Sequence, residues 1–195
     1  MNKVHSVGIA GICSYVPAKV VTNEDIAKLV DTSNEWIVQR TGIRERRLVD
    51  SNTSTSDIAT IAAERALQDG NISPEEIDLI LVATVTPDMA FPSTACIVQK
   101  NIGAVNAAVF DISVGCAGFI YGLSIGVSFI KSGAYKKVLI IGAETLSKIV
   151  NWQDRSTCIL FGDGAGACIL ERCEDGFGFL AFDLGADGTG GDLLT

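Results

Sequence analysis

The chain has 195 residues, 48% hydrophobic and 19% charged. That composition excludes intrinsic disorder and allows one large domain whose folding removes roughly 70% of the unfolded surface from water. Lys plus Arg number 15 against 23 Asp plus Glu, a net charge of −8, the wrong overall sign for non-specific nucleic-acid binding. Apolar runs fall short of the ~18 residues of a membrane span and no signal-peptide cleavage pattern follows Met1, so a cytoplasmic protein without a membrane segment is expected.

Residues 6–13 (SVGIAGIC) mix β-branched residues with glycine and predict a first strand. Residues 23–30 predict a short helix capped by Asn23, and 33–40 (SNEWIVQR) a second, capped by Ser33 and stopped at Gly42. Residues 54–69 carry Ile58, Ile61, Ala62 and Ala66 at helical spacing before Gly70. Ser73-Pro74-Glu75-Glu76 has the form of a capped helix start. The continuous apolar run 78–85 (DLILVATV) predicts a central strand covered on both faces. A helix over 93–102, a strand over 107–112, a helix over 116–131 and a buried strand over 137–142 follow. Strands are also expected over 157–161 and 165–171, around a tight hairpin at Gly162-Asp163-Gly164, and from 177 to 184. Strands alternating with helices imply an α/β fold with a parallel or mixed sheet and helices on both faces.

The six cysteines contain no C-x-x-C pair, and the single histidine, His5, is remote from them, so no metal site is expected and reduced thiols fit best. One cysteine differs in setting. In residues 110–119 (FDISVGCAGF) a strand gives way to a glycine turn and a helix opening at Cys116. Such a turn sets a side chain at the carboxyl edge of a sheet, and a helix N-terminus favours thiolate over thiol, so Cys116 is a candidate nucleophile as well as a candidate packed thiol. The loop 161–167 (FGDGAGA) lacks both the spacing of a dinucleotide fingerprint and a Walker lysine, which favours close backbone packing. Trp36 and Arg40 lie four residues apart, on one helical face, with Arg44, Arg46 and Arg47 nearby. An indole beside guanidinium groups can hold an adenine and its phosphates; a solvated charged turn is the simpler alternative for Arg44–Arg47.

Taken together, residues 32–46 (TSNEWIVQRTGIRER), 90–96 (AFPSTAC), 115–119 (GCAGF), 154–155 (DR), 161–167 and 185–188 (GADG) resemble β-ketoacyl-acyl-carrier-protein synthase III, a member of the thiolase-like superfamily. The resemblance runs through essentially the whole chain and implies a thiolase-like fold, a mixed five-stranded sheet forming the first of two pseudo-repeated halves. On that basis residues 1–175 form the nucleophile-bearing half and 176–195 begin the connection to a second. The resemblance further implies that Cys116 is acylated and that Thr32, Trp36, Arg40 and Arg155 line the coenzyme A entrance. Leu146 and Phe161 would line the acyl pocket, and Phe91 would close the pocket of the other subunit of a homodimer. The implied partners are acyl-coenzyme A, which is a substrate rather than a cofactor, and malonyl-acyl-carrier protein. The implied reaction initiates fatty-acid synthesis. The family's histidine and asparagine have no match here, so a C-terminal half, in cis or as a second chain, is expected to supply them. Two alternatives keep other classes open: a different thiolase-like condensing enzyme, such as a hydroxymethylglutaryl-coenzyme A synthase or polyketide starter enzyme, and a non-catalytic half that only binds or dimerises.

Overall fold

The computed structural model describes residues 6–193. Five strands form one mixed sheet: β1 (Ser6–Tyr15), β4 (Leu79–Ala83), β5 (Ala108–Ile112), β6 (Val138–Thr145) and β7 (Asp163–Cys173), in the order β1-β7-β6-β4-β5. β4 runs parallel to both β5 and β6, while β7 is antiparallel to β6 and β1. The all-buried pattern of β4 bears out a strand covered on both faces.

Side-chain alternation sorts the core into two layers. Ile80, Val82, Leu139 and Ile141 face helices α3 (Thr55–Gly70) and α4 (Thr94–Ile102). Leu79, Leu81, Val138 and Ile140 face α5 (Gly118–Ser132). Burial of each such aliphatic side chain contributes about 1.5–3 kcal/mol. Helices therefore cover both faces, as expected. The α5 side approaches closely because Gly122 and Gly126 carry no Cβ; one added at Gly122 would lie 2.9 Å from Ile140 Cγ2.

A smaller unit flanks the sheet. β2 (Lys19–Thr22) pairs antiparallel with β3 (Glu45–Leu48), and the short helices α1 (Asn23–Ile26) and α6 (Arg155–Cys158) pack with α2 (Asn34–Thr41) around Ile26, Ile37, Cys158 and Ile159. The β2–β3 pair was not anticipated, because its residues read as a basic cluster. Arg46 explains this: it is buried and donates to Val21 C=O, Asn23 Oδ1 and Ile159 C=O, so it is a structural tie rather than a phosphate ligand.

Several expected boundaries shift. Thr22, not Asn23, caps α1, which ends at Ile26; Asn23 is buried and donates to Asn34 and to Ile43 C=O. Residues 74–76 form only a single 3-10 turn. The strand expected over 157–161 is instead the end of α6 and the turn after it, because Asp154 accepts from Ser156 N–H and starts a helical turn. The expected hairpin at 162–164 is absent: β7 runs on unbroken from Asp163 to Cys173. Residues 177–184 form no strand; Phe179 N–H bonds Val7 C=O and its ring stacks on Phe182. Residues 115–132 are also longer and more apolar than anticipated, enough by length and composition to cross a membrane; here the face carrying Gly118, Gly122, Leu123 and Val127 packs on the sheet.

Candidate active site

The carboxyl ends of β4, β5 and β6 lie together, since Ala83 pairs with both Ile112 and Gly142. The chain leaves β5 at Ile112, turns at Gly115 with φ +59, a left-handed value suited to glycine, and makes a 3-10 turn over Gly115–Ala117 before α5 begins. Cys116 thus precedes the α-helix proper by two residues instead of opening it. No side chain caps α5; its first N–H, that of Gly118, donates to Gly115 C=O and closes the turn that carries Cys116.

Cys116 is the exposed cysteine; Cys13, Cys96 and Cys173 are half-buried, and Cys158 and Cys168 are buried. Burial pushes the Cys168 thiol up to about 12. Cys158 is raised as well, by burial first and then by Asp154. The two buried thiols are thereby poor nucleophiles. All six are unpaired, in line with reduced thiols.

Trp36, Arg40 and Arg155 come together from two helices. The Arg40 guanidinium lies 4.2 Å from the Trp36 ring centre and that of Arg155 4.8 Å. Ser33 caps α2 by accepting from Trp36 N–H, which sets the start of the helix under the indole. Arg155 donates to Asp31 C=O at 3.0 Å, beside Thr32, whose hydroxyl is buried without a partner. Arg47 pairs with Glu45, so of the basic segment only Arg44 stays uncommitted among the described contacts.

Leu146 directly follows β6 and Phe161 precedes β7 by two residues; both are half-buried. Because Thr145 pairs with Asp163, both side chains belong to the sheet edge that carries Cys116. Phe91 is apart from them, 87% exposed on the loop between β4 and α4. Surface hollows of about 800 and 600 Å³ lie elsewhere, the first lined by Val20, Leu29 and Trp152 and the second by Leu67, Ile72 and Pro74, and neither includes a candidate residue. Among the described residues no cluster could hold a metal ion. His5 lies outside the described residues.

Sequence reasoning missed the carboxylates that organise this edge. Asp163 accepts from Val49 N–H, Ser147 N–H and Ser147 Oγ, joining the end of β3 to the turn that bears Leu146. Asp111 accepts from Thr94 and Ala95 N–H and holds α4 against β5. Glu144 accepts from Val85 N–H and from the hydroxyls of Thr84 and Thr86. The available signal was an acidic residue placed within or just beyond an apolar strand, as in FDI and IIGAE.

A family model described as 3-oxoacyl-[acyl-carrier-protein (ACP)] synthase III matches residues 110–188. The chain is 64% identical over 187 residues to a β-ketoacyl-[acyl-carrier-protein] synthase III of Caldanaerobacter subterraneus subsp. tengcongensis, covering 96% of this chain and 56% of that protein. Among solved structures, β-ketoacyl-[acyl-carrier-protein] synthase III from Thermus thermophilus superposes with a TM-score of 0.92 at 46% identity, over 95% of this chain and 57% of that one. The priming β-ketosynthase of the R1128 polyketide pathway gives a TM-score of 0.86 at 35% identity, over 89% and 52%. The chain spans little more than half the length of the relatives it matches.

Proposed function

Because the chain belongs to the β-ketoacyl-[acyl-carrier-protein] synthase III family, we propose that it carries the acyl-accepting part of such a synthase, with Cys116 as the acylated residue. Its α/β sheet is the thiolase-like fold of that family. The observation that carries the reading is the exposed thiol of Cys116 on the glycine turn at the carboxyl edge of the parallel strands.

In this proposal coenzyme A enters by Trp36, with Arg40, Arg155 and Thr32 around it. The adenine stacks on the indole and the guanidinium groups meet phosphate. The Cys116 thiolate attacks the thioester carbonyl of a short acyl-coenzyme A. A tetrahedral oxyanion forms, held by backbone N–H groups at the turn, and coenzyme A leaves as its thiolate. The acyl group lies toward Leu146 and Phe161, and Phe91 completes the pocket of a second copy in a homodimer. Malonyl-acyl-carrier protein then loses carbon dioxide, and the carbanion equivalent attacks the Cys116 thioester to give a 3-oxoacyl-carrier protein and free thiol. The histidine and asparagine for that step are assigned to polypeptide beyond these 195 residues, since His5 is the one histidine present. Unpaired thiols support a reducing, cytoplasmic setting. The higher identity to a fatty-acid-type synthase than to the polyketide priming enzyme favours the first over the second as the activity.

The test is intact-mass analysis of the protein, expressed from its complete gene, after incubation with acetyl-coenzyme A. One acetyl group on the peptide containing Cys116, absent in Cys116→Ala, is the expected result. Acetylation of another residue, or none, would overturn the assignment.

A further inference from the structure

The turn that carries Cys116 has two ends, and both rest on the same short segment. At its start, Ile112 pairs with Ala83, and Ile112 C=O accepts from Thr84 N–H at 3.1 Å. At its finish, Gly118 lies so close to β4 that an added Cβ would be 2.9 Å from Ala83 Cβ. The position of the thiol therefore depends on where residues 83 and 84 sit.

One carboxylate joins all three of the residues that follow. Glu144 Oε1 accepts from Val85 N–H at 2.8 Å, and Oε2 accepts from the Thr86 hydroxyl at 2.5 Å and the Thr84 hydroxyl at 3.3 Å. The Thr86 hydroxyl in turn accepts from Thr145 N–H at 2.9 Å, and Thr55 ties the group to the start of α3 through Thr86 C=O and Thr145 Oγ1. Thr55, Thr84, Thr86 and Thr145 are all buried. A carboxylate can only accept, so it fixes the direction of each hydrogen bond: Thr145 N–H to Thr86, then Thr86 O–H to Glu144. Glu144 forms no ion pair among the described residues, so its contribution here is hydrogen bonding.

We propose that Glu144 is a positioning residue for the chemistry at Cys116: it clamps residues 84–86 to the end of β6 and thereby sets the seat of the nucleophile turn. The proposal rests on Cys116 being the acyl acceptor. Glu144's hydrogen-bond partners are Thr84, Val85 and Thr86, none of which belongs to the thiol turn or to the Trp36, Arg40 and Arg155 contacts. Loss of the clamp should therefore change how well a bound thioester meets the thiol, and leave binding at the entrance alone.

Glu144→Gln keeps the size of the side chain but places an N–H₂ group where an acceptor is needed. Thr86→Val removes the central hydroxyl with little change in shape. The measurement is single-turnover acylation by acetyl-coenzyme A in the protein expressed from its complete gene, followed by intact mass, with the maximal rate and half-saturating concentration separated. Each variant should lower the maximal rate roughly 10–100-fold, the range that small misplacement of reacting groups produces, with half-saturation within about twofold of the parent. The double variant should be no slower than the worse single one, since both break the same link. Thr86→Ser, which restores the hydroxyl, should recover the rate. Rates normalised to correctly folded sites that stay at the parental value, multiplying losses in the double variant, or half-saturation rising in step with the fall in rate would each overturn the role. Cys116→Ala separates this from the parent reading. If that variant still accepts acetyl groups, the assignment of Cys116 fails; if it is inert while Glu144→Gln acylates normally, only the clamp fails.

Discussion

Residues 113–117, the proposed nucleophile turn, and the Trp36 cluster, the proposed entrance, both lie at the surface, yet they are fixed by different forces. The nucleophile turn is placed by backbone: a left-handed glycine at 115, a parallel register at Ile112 and close glycine packing along α5. The entrance is placed by side chains from distant segments: a guanidinium on an indole, and a hydrogen bond from Arg155 to a carbonyl 124 residues away. Backbone placement is tied to the folding core, with the proposed Glu144 clamp adjusting its seat. Side-chain placement is local and loses a modest amount with each substitution.

The largest expected contrast is between Cys116 and the thiols inside the core. A thiol near 12 is about 10⁻⁵ thiolate at neutral pH, so Cys168 should be inert toward iodoacetamide while Cys116 reacts, with Cys158 also protected. Peptide mass mapping over time gives the order; earlier labelling of Cys96 or Cys168 would refute it. The same burial has a pH consequence. The folded-state value for Cys168 lies above the ordinary 9.0, so its contribution to stability is complete below 9.0 and is lost as pH rises toward about 12. Cys168→Ala should flatten that alkaline decline in urea unfolding midpoints.

Next in size is a break in the packing under the nucleophile. Gly122→Val places methyl groups into Ile140 and Leu81, which lie 2.9 and 3.2 Å from the position of its Cβ. Overpacking of this kind costs about 1–3 kcal/mol. A lower thermal midpoint and slower Cys116 acylation should appear together, while coenzyme A affinity measured on the folded fraction stays unchanged. If affinity falls as far as the acylation rate, the separation of the two regions is wrong.

The same difference in forces decided what could be read from sequence. β4, α4 and α5 were legible because their periodicity and stop signals are contiguous, as with Ser93 before α4 and Gly103 after it. Cys116 was legible as a candidate because its turn is written in adjacent residues. Trp36 and Arg40 share a helix and could be paired by spacing, whereas Arg155 could be joined to them only through resemblance, since tertiary packing brings it there. The residues 157–161 looked β-branched enough for a strand, but the Asp154 cap overrides that propensity. Arg46 and Glu144 were missed for a common reason. Their roles are set by backbone groups and hydroxyls that meet them only after folding.

The smallest effect belongs to the proposed entrance. Trp36 also packs against the cluster of Ile26, Ile37 and Ile159, so its removal would confound binding with stability, and the arginines are the cleaner probes. Arg155 is exposed, starts a four-residue helix and is steadied by Asp31 C=O, whereas Arg40 is exposed at the last turn of α2. Substitution of either leaves the sheet and both core layers untouched, so thermal midpoints should move little, within the ~0.5 kcal/mol usual for surface changes. In the proposed complex each guanidinium contributes a cation–aromatic contact and a charge-assisted bond to phosphate. Arg155→Ala should therefore weaken coenzyme A binding by about 1–2 kcal/mol in calorimetry, and Arg40→Ala by about the same or less. Added salt should narrow the difference between parent and variants, because exposed charge contacts are screened and stacking is not. The alkylation rate of Cys116 by iodoacetamide, a reagent too small to need the entrance, should be identical in all three proteins. Unchanged affinity in both variants would remove the entrance from the proposed site, whereas a change in alkylation rate would show that the entrance and the nucleophile turn are mechanically joined.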